Sequence, residues 1–387
     1  MVSEPYGGKL VSKVLIGETR CRIIEEAHEM PRLSLNNSTK LDIEKIAIGA
    51  FSPLKGFMGR DDYEAVVYKG KLSNGLCWTI PIVLSPNNEE NKIIVKKLKE
   101  GDDIALIHDK KPIAILHLEE KFNYDKKELA RHVYGTLDLK HPDVAKLHNN
   151  LSNILLAGEI DYIQDLKTHL AIPELTPLET RQIFKRRKWK TIAAYQTRNP
   201  PHVAHEYLQR CTLEIVNGIF IHPAVGELKK GDFPPEAIIE TYQFLLDNYY
   251  PKDRVVLSPL SIAMRYAGPK GAIFLAIVRK NYGCTHFIVG RDIAGVENYY
   301  DPYGAHKAFK DLDLGIEPIL FKESFYCRSC SNIVTEKTCR HNVKDHIKIS
   351  MTKIREMIKN GVNPPAEVMH PEITKILMKY GSKIDSP

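Results

Sequence analysis

The segment TIAAYQTRNPPHVAHEYLQR, residues 191–210, changes its hydrophobic pattern at two prolines and so indicates how this part of the chain folds. Its first residues form a short apolar run typical of a buried strand, and the residues after the prolines have helical spacing. Asn199 is a good N-cap, and Pro200 and Pro201 suit a first helical turn, in which no backbone N–H is needed. The segment therefore predicts a strand, a tight turn and a helix from Pro200 to Val216.

The same alternation of strand and helix continues to about residue 320. The apolar runs are KTIAAYQ, GIFIHPA, RVVLSPL, CTHFIVG and IEPILF, and the helical segments between them include Pro235 to Asn248, PKGAIFLAIVRKNY and YGAHKAFKDL. This pattern predicts a parallel sheet covered by helices on both faces. Ligands of such sheets bind beyond the carboxyl ends of the strands. The stretches found there are polar, basic or glycine-rich: QTRNPPH, HPAVGELKKGD, SPLSIAMRYAGP, GRDIAGVENYYDPYG and FKESFYC.

The first 170 residues or so have a different, β-rich pattern. CWTIPIVLS and DDIALIHDKKPIAILHLEE are predicted to form strands, SPNNEENKI a loop and RDDYEAVV a short helix. Because 387 residues exceed one ordinary core, two or three domains are expected.

Composition and charge exclude several classes of protein. The chain is 43% hydrophobic and 27% charged, which is normal for a soluble protein. No apolar run reaches the roughly 18–20 residues that span a bilayer, and the N-terminus lacks the features of a signal peptide, so we expect a cytoplasmic protein without a membrane partner. The net charge of +7 suits a small anionic substrate or an ordinary surface, whereas nucleic-acid binding usually needs a localised basic patch.

Polar residues around the first predicted turn favour an anion site. His202 and His205 are expected on one face at the positive end of a helix dipole, where anions bind. Gln196 and Arg198 precede them, and arginine offers a planar fork of donors to phosphate or sulfate. A zinc pair would more often use i, i+4 histidines with an acidic partner, and Glu206 is expected to face away. The remaining alternative is two exposed histidines without a role.

A second stretch, ISMTKIREM at residues 349–357, again favours phosphate. It places Ser350, Thr352, Lys353 and Arg355 near the start of a helix. An early H-x-x-H turn with a late S-x-T-x-x-R resembles the nucleotidylyltransferase superfamily, whose members attack the α-phosphate of a nucleoside triphosphate and release diphosphate.

Longer segments resemble the sulfate adenylyltransferase (ATP sulfurylase) family over nearly the whole chain. They are QTRNPPHVAH, HPAVGELKKGD, MRYAGPKGAIFLAIVRKNYGCTHFIVGRDIAG, DPYGAH, GAFSPLKGFMGRDDYEAVV, CWTIPIVL and VYGTLDLKHPDV. The resemblance implies a multi-domain α/β protein. A β-rich, PUA-like N-terminal domain would span residues 1–170 and a Rossmann-like nucleotidyltransferase domain residues 171–326. A small C-terminal domain with a zinc-binding segment would span residues 327–387.

The resemblance also implies a reaction and its residues. ATP and sulfate would give adenylyl sulfate and diphosphate, by direct in-line attack of sulfate on the α-phosphate, with Mg²⁺ accompanying the ATP. The implied roles are catalysis by Thr197, Arg198 and Asn199; sulfate binding by Gln196, Arg198 and the backbone of Ala294; and ATP binding by Gln196, Arg198, His202, His205, Gly290, Arg291, Asp292 and the backbone of Phe325. A homodimer or larger homo-oligomer is also expected.

Three positions depart from the family pattern. Tyr6 stands where the family usually has a histidine before two glycines, and Ile293 replaces the histidine of GRDHAG, which removes a polar contact on the phosphate side. Met351 stands where the late loop often has glycine. None of these positions belongs to the Q-T-R-N block.

A cysteine cluster, YCRSCSNIVTEKTCRHNVKDH, reads C-x2-C-x8-C-x6-H and predicts a structural zinc site. Cys327, Cys330 and Cys339 are the firm candidates. His346 is favoured over His341 as the fourth ligand, because the single residue between Cys339 and His341 makes joint coordination tight. Reduced free cysteines are the alternative.

Two other functions compete with the sulfurylase reaction. One is another HxxH-type adenylyltransferase with a phosphate-bearing acceptor. The other is an RNA-binding protein with a PUA-like domain and a zinc knuckle, which the scarcity of basic runs and interleaved aromatics disfavours. The sequence has no G-x-x-x-x-G-K-[ST] phosphate loop, so a fused kinase is not expected.

Overall fold

A computed structural model describes residues 2–86, 88–165, 170–227 and 231–384 of the chain. Its strands form three sheets of six, five and three strands. In the part of the chain that is described, no helix is long and apolar enough to cross a membrane. The fragment LKK of the stretch HPAVGELKKGD, at residues 228–230, lies outside the described residues.

The N-terminal domain is built on the six-stranded sheet, in the order β1-β3-β4-β6-β2 with β5 paired to β6. Its strands are β1 (Arg32–Ser34), β2 (Gly56–Phe57), β3 (Asp103–His108), β4 (Lys111–His117), β5 (Glu120–Asn123) and β6 (Ile154–Tyr162). Its helices are α1 (Gly17–Glu26), α2 (Asn37–Ala47), α3 (Arg60–Lys69), α4 (Glu89–Lys97), α5 (Lys126–Leu129, followed by a π-helical turn, Ala130–Tyr134) and α6 (Pro142–Asn150).

Two predictions for this domain are wrong. CWTIPIVLS is not a regular strand: Cys77 and Leu84 make isolated bridges, while Trp78 is fully buried and its indole N–H donates to the carbonyl of Ile80 at 2.7 Å. The segment is apolar because it fills the core, and burial alone does not distinguish a strand from an irregular segment. SPNNEENKI contains the start of α4, because Asn88 accepts a hydrogen bond from the N–H of Asn91 and caps the helix.

The second half of the chain contains the parallel five-stranded sheet that the alternating pattern predicted. Its strands are β7 (Ile192–Thr197), β8 (Gly218–Pro223), β9 (Val255–Leu257), β10 (His286–Val289) and β11 (Glu317–Leu320). Its helices are α7 (Pro177–Arg186), α8 (Val203–Leu213), α9 (Pro235–Tyr249), α10 (Pro269–Asn281) and α11 (Gly304–Ala308).

The order of these strands is β11-β10-β7-β8-β9, and every neighbouring pair is parallel. The chain therefore builds β7, β8 and β9 outward in one direction and then returns to place β10 on the other side of β7. This reversal leaves a crevice beyond the carboxyl ends of β7 and β10, which is where open α/β sheets bind ligands.

Helices cover both faces of this sheet, and each face forms a separate hydrophobic core with the helices that pack on it. Alternate strand residues such as Ala194 and Phe220 pack with α7 and α10, in a core that continues into the N-terminal domain. The intervening residues, such as Tyr195 and Ile221, pack with α9 and with helices of the C-terminal segment. The five-stranded sheet thus shares a core with the domain before it and with the segment after it.

The C-terminal segment combines a small sheet with two helices. It contains β12 (Ser324–Cys327), β13 (Asn332–Thr335), β14 (His346–Ile347), α12 (Met351–Lys359) and α13 (Pro371–Met378). Ile354 and Ile358 of α12 and Ile373 and Leu377 of α13 are buried in the core that contains α9, with α13 against α9 and α12 against α13. This packing returns the end of the chain to the carboxyl edge of the five-stranded sheet, where Arg355 of α12 contacts Asn199.

Candidate active site

The turn after β7 is held by its own side chains. The hydroxyl of Thr197 accepts from the N–H of Asn199 at 3.1 Å and lies 3.2 Å from the carbonyl of the same residue. The predicted helix start at Pro200 and the predicted cap at Asn199 are wrong: α8 begins at Val203, and His202 is its N-cap. Asn199 has another partner, because its side-chain oxygen accepts from Arg355 at 2.8 Å.

His202 and His205 lie together at the start of α8. Nδ1 of His202 accepts from the backbone N–H of His205, and the two rings stack with centroids 3.5 Å apart. His202 is only 8% exposed, and burial, followed by the neighbouring His205, lowers its pKa well below the ordinary range. Burial also lowers the pKa of His205, to about 4. Both rings are therefore neutral at pH 7 in the free protein and can donate N–H groups without a charge.

We expect the free energy of unfolding to fall when the pH is lowered from 7 to 5. Between about 4 and its ordinary pKa of 6.5, His205 is protonated in the unfolded chain and neutral in the folded one. The unfolded state then binds more protons, so acid favours unfolding, by about 2 kcal/mol at pH 5 for this residue. Urea unfolding at both pH values measures the effect.

His205→Asn is the matched variant, because asparagine does not titrate in this range. Its loss of stability from pH 7 to pH 5 should be smaller by about 2 kcal/mol. The opposite contribution of His370, whose pKa is raised by its hydrogen bond with Glu206, is present in both proteins and cancels. An identical loss in the two proteins would show that His205 is not held neutral by burial.

Two arginines converge on one buried carboxylate at the mouth of the crevice. Arg198 donates to one oxygen of Asp232 at 2.8 Å, and Arg355 lies 3.0 Å from the other oxygen. Asp232 is 5% exposed, whereas Arg198 and Arg355 keep 28% and 20% of their side-chain surface. The guanidinium of Arg198 also lies 5.4 Å from the centre of the Tyr266 ring. The predicted arginine of the turn and the predicted arginine of α12 thus belong to one site.

Glu206 takes no part in that site. Its carboxylate binds His370 at 2.7 Å and Arg210 at 2.6 Å on the far side of α8. Burial alone would raise the pKa of Glu206, but these two hydrogen bonds lower it. A metal pair of His202 and His205 therefore has no carboxylate partner from this helix.

The loop after β10 offers backbone donors to the same crevice. Asp292 and Ala294 have positive φ angles of 56° and 55°, and the N–H of Asp292 donates to the carbonyl of Pro302 at 2.7 Å. The N–H of Ala294 has no hydrogen-bond partner within the described residues. Burial raises the pKa of Asp292, with Arg291 and Arg198 acting against it, so Asp292 lies in the field of Arg198.

Other predicted residues are placed as follows. Gly290 directly follows β10, and Arg291 is exposed and 3.7 Å from Glu323. Phe325 on β12 packs against Val334, and its ring stacks on His346. A contact of its backbone with adenine stays a prediction.

The two histidine replacements have structural explanations. Tyr6 is 5% exposed, and its hydroxyl donates to the carbonyl of Cys77 at 2.7 Å. Its backbone N–H donates to the side chain of Asn281, so Tyr6 joins the two domains. Ile293 packs against the core beside α10 and brings no polar atom to the crevice.

Four side chains in the C-terminal segment form a candidate metal centre: Cys327, Cys330, Cys339 and His341. Nδ1 of His341 lies 3.5, 3.2 and 3.7 Å from the three sulfur atoms, and the sulfurs of Cys330 and Cys339 are 3.8 Å apart. A tetrahedral zinc ion with bonds of about 2.0 Å to nitrogen and 2.3 Å to sulfur separates its ligands by roughly 3.5–3.8 Å. The donor set therefore fits zinc.

The preference for His346 as fourth ligand is corrected by this geometry. His346 approaches only Cys339, at 3.6 Å, and its ring stacks on Phe325 with centroids 3.9 Å apart. The expected crowding does not arise, because the chain folds back after Cys339 and the N–H of His341 donates to its sulfur at 3.4 Å. The ring of His341 then turns toward the other two sulfurs.

Sequence reasoning missed Asp232, Tyr266 and Arg279, all of which contact predicted site residues. Asp232 and Tyr266 lie in stretches that follow predicted strands, but nothing in the sequence showed that they meet Arg198. Arg279 had a usable signal: it directly follows the apolar run AIFLAIV of α10, and a charge in a buried helix needs a partner.

Two family models match the chain. Residues 173–380 match the model described as ATP-sulfurylase, and residues 3–165 match that of a PUA-like domain. The two matches together account for both the parallel and the mixed sheet.

Relatives align over almost the full length. A sulfate adenylyltransferase of Pyrococcus abyssi and one of Staphylothermus marinus are each 46% identical over 381 residues, which cover 98% of this chain and 98% of each relative. One of Synechococcus sp. is 45% identical over 379 residues, covering 96% of this chain and 95% of the relative. A solved structure titled hexameric APS kinase from Thiobacillus denitrificans has 24% identity and a TM-score of 0.75, covering 98% of this chain and 68% of that one. The structural likeness shows a shared fold.

Proposed function

The chain belongs to the ATP-sulfurylase family, and from this premise we infer that it converts ATP and sulfate into adenylyl sulfate and diphosphate. It is a nucleotidyltransferase with a PUA-like N-terminal domain and an α/β catalytic domain. We propose that the reaction takes place in the crevice beyond β7 and β10. The observation that carries this placement is the convergence of Arg198 and Arg355 on Asp232 at that edge.

The sulfate side of the site is formed by three donors. Arg198 would clamp sulfate with its planar fork, which matches two oxygens of a tetrahedral anion. The free backbone N–H of Ala294 and the amino group of Gln196 would donate to the remaining oxygens. Asp232 holds Arg198 before substrate arrives, so the guanidinium is ordered in advance and less entropy is lost on binding.

The triphosphate side is formed by the start of α8 and by α12. His202 and His205 would hold the β- and γ-phosphates at the positive end of the α8 dipole. Arg355, which α12 brings to within 2.8 Å of Asn199, would supply the charge that the neutral histidines lack. Thr197 and Asn199 keep the turn in shape, and Gly290, Arg291, Asp292 and the backbone of Phe325 would line the nucleotide pocket.

The chemistry needs alignment rather than a base. Sulfate is already ionised and is a poor nucleophile, so no proton has to be removed before it attacks the α-phosphate. The rate must come from holding two repelling anions in line and from neutralising the charge on the transferring group. The carboxylate of Asp232 is occupied by two guanidinium groups, which suits an ordering role and not general base catalysis.

Magnesium and zinc would have separate places. Among the described residues, the group of three or more metal-binding side chains is the cysteine and histidine cluster alone. Mg²⁺ would therefore be held by the triphosphate and water, and it would neutralise phosphate charge there. Zinc would sit on Cys327, Cys330, Cys339 and His341 and hold β12 and β13 beside α8.

A diphosphate-release assay tests the function. With ATP and Mg²⁺, we expect release that depends on sulfate and that molybdate also supports, because molybdate has the same shape and charge. Release without either oxyanion, or only with a phosphate-bearing acceptor, would indicate the other adenylyltransferase reaction. Omitting ATP is the control for contaminating diphosphate.

Three further properties stay predictions. The domain limits near residues 170 and 326, the homo-oligomer and the cytoplasmic location follow from the sequence and the family resemblance. Size-exclusion chromatography with light scattering measures the oligomer directly.

A further inference from the structure

Beneath the crevice lies a fully buried arginine that the proposed reaction does not use. Arg279, on α10, is 0% exposed and reaches up to the sheet. One of its terminal nitrogens, Nη2, donates to the side-chain oxygen of Gln196 at 2.6 Å and to the backbone carbonyl of His222 at 3.1 Å. Gln196 and His222 are register neighbours at the ends of β7 and β8, so this single nitrogen joins the two strands.

The charge of Arg279 has little compensation. Within the described residues no carboxylate lies within 4 Å of it, and its Nε and Nη1 atoms are buried without a hydrogen-bond partner. Burial lowers its pKa to about 10, which still leaves it protonated at pH 7. A buried, unpaired cation is costly to stability. Its position under a predicted anion site therefore calls for an explanation beyond packing.

The chemistry of the two side chains fixes the orientation of the Gln196 amide. A guanidinium group can only donate hydrogen bonds, so the atom facing Arg279 must be the carbonyl oxygen of Gln196. The amino group of Gln196 then faces the other way, and in the described parts of the chain it has no hydrogen-bond partner. Without the arginine, the amide could turn over and present its oxygen to the crevice.

We propose that Arg279 is a positioning residue that locks the Gln196 amide with its amino group toward the sulfate. This inference rests on the proposed function, because it concerns the sulfate side of that site. An amino group donates to an anion, whereas a carbonyl oxygen at the same place repels it. Arg279 thus acts on sulfate through Gln196 and does not touch the substrate.

Arg279→Lys tests the lock, since lysine keeps the charge but is too short and compact to reproduce the shared contact of Nη2. We expect the KM for sulfate to rise about tenfold, as for the loss of one charge-assisted hydrogen bond, while the KM for ATP stays within about twofold. In the Gln196→Ala background, Arg279→Lys should change the KM for sulfate no further. An unchanged KM for sulfate in the single variant, or additive effects in the double variant, overturns the proposal.

Arg181→Lys is the matched control. Arg181 is a second arginine of this domain, only partly buried, and it donates only to backbone carbonyls: Asn281 at 2.7 Å, Lys280 at 2.8 Å and Ser3. Burial lowers its pKa to about 10, as for Arg279. Its variant should lose thermal stability to a similar extent without a change in the KM for sulfate. A rise in that KM in both variants would mean that the effect is general loosening.

Gln196→Glu keeps the proposal testable if Arg279→Lys does not fold. The new carboxylate would pair with Arg279, so thermal stability should equal or exceed that of the wild type, while the KM for sulfate rises more than in Gln196→Ala. Reduced stability in Gln196→Glu would overturn the proposed contact. The wild-type protein tests the proposed function independently of Arg279. If its release of diphosphate does not depend on sulfate, the proposed function is wrong, whatever the Arg279 variants show.

Discussion

Replacing Arg198 with alanine should lower kcat/KM for sulfate by about 10³-fold. The side chain follows β7 directly, lies against Tyr266 and is held by Asp232 at 2.8 Å. We place it as the clamp on sulfate, where it would make two charge-assisted hydrogen bonds. Each such bond contributes about 1.5–3 kcal/mol, and about 1.4 kcal/mol changes a rate or affinity tenfold. The effect should appear in kcat as well as KM, because the clamp also aligns sulfate with the α-phosphate.

The fold should survive this change, because Asp232 keeps Arg355 as a partner at 3.0 Å. Arg198→Lys should recover only part of the activity, since lysine restores a charge without the planar fork. Arg187→Ala is the matched control: Arg187 is exposed, lies over Trp189 and donates to Val255 at the opposite, amino end of the sheet. Diphosphate release measured over a range of sulfate concentrations distinguishes the variants. A loss confined to the KM for ATP would move Arg198 to the phosphate side.

The fold of the catalytic half was predictable because its elements follow local rules. Short apolar runs such as GIFIHPA and CTHFIVG became β8 and β10, and the helix predicted at Pro235 became α9. The parallel pairing followed from the helices between the strands. The predictions failed where local and tertiary preferences differ. Asn199 and the two prolines suggested an early helix start, but the chain stays non-helical until His202 caps the helix.

The site was only half predictable, for a physical reason. Strand ends, histidines and arginines have signatures in the sequence, so Gln196, Arg198 and Arg355 could be named in advance. The groups that hold these side chains have no such signature. Asp232 lies 34 positions after Arg198, and Arg279 lies 83 positions after Gln196, so the sequence does not show that they are in contact. Such contacts depend on how α9 and α10 pack on the sheet. A single sequence shows which side chains are charged, and only the fold shows which of them meet.

The cluster of cysteines and histidines in the C-terminal segment shows the same limit at short range. The spacing of Cys327, Cys330 and Cys339 predicted three ligands, and the choice between two histidines rested on an assumed crowding after Cys339. The backbone relieves that crowding by folding back, which brings His341 to the three sulfurs and leaves His346 to stack on Phe325. The prediction that separates the two histidines is therefore also a test of the geometry of this loop.

We expect His341→Ala to lose most of its zinc and His346→Ala to retain about one ion per chain. Losing His341 leaves three sulfur ligands and an open position, so a chelator should remove the metal much faster than from the wild type. Structural zinc contributes on the order of 10 kcal/mol to the segments that it folds, and β12 and β13 lie against α8, whose start carries His202 and His205. Metal loss should therefore lower the melting temperature and also weaken ATP binding. His346→Ala should lose only a stacked ring, with a small fall in stability.

Elemental analysis before and after dialysis against EDTA measures the zinc content of both variants, and calorimetry measures the change in stability. If His346→Ala comes out empty of zinc while His341→Ala remains loaded, the ligand set is C-x2-C-x8-C-x6-H after all. His341 would then lie beside the metal without binding it, and the loop after Cys339 would have to place His346 at the three sulfurs instead.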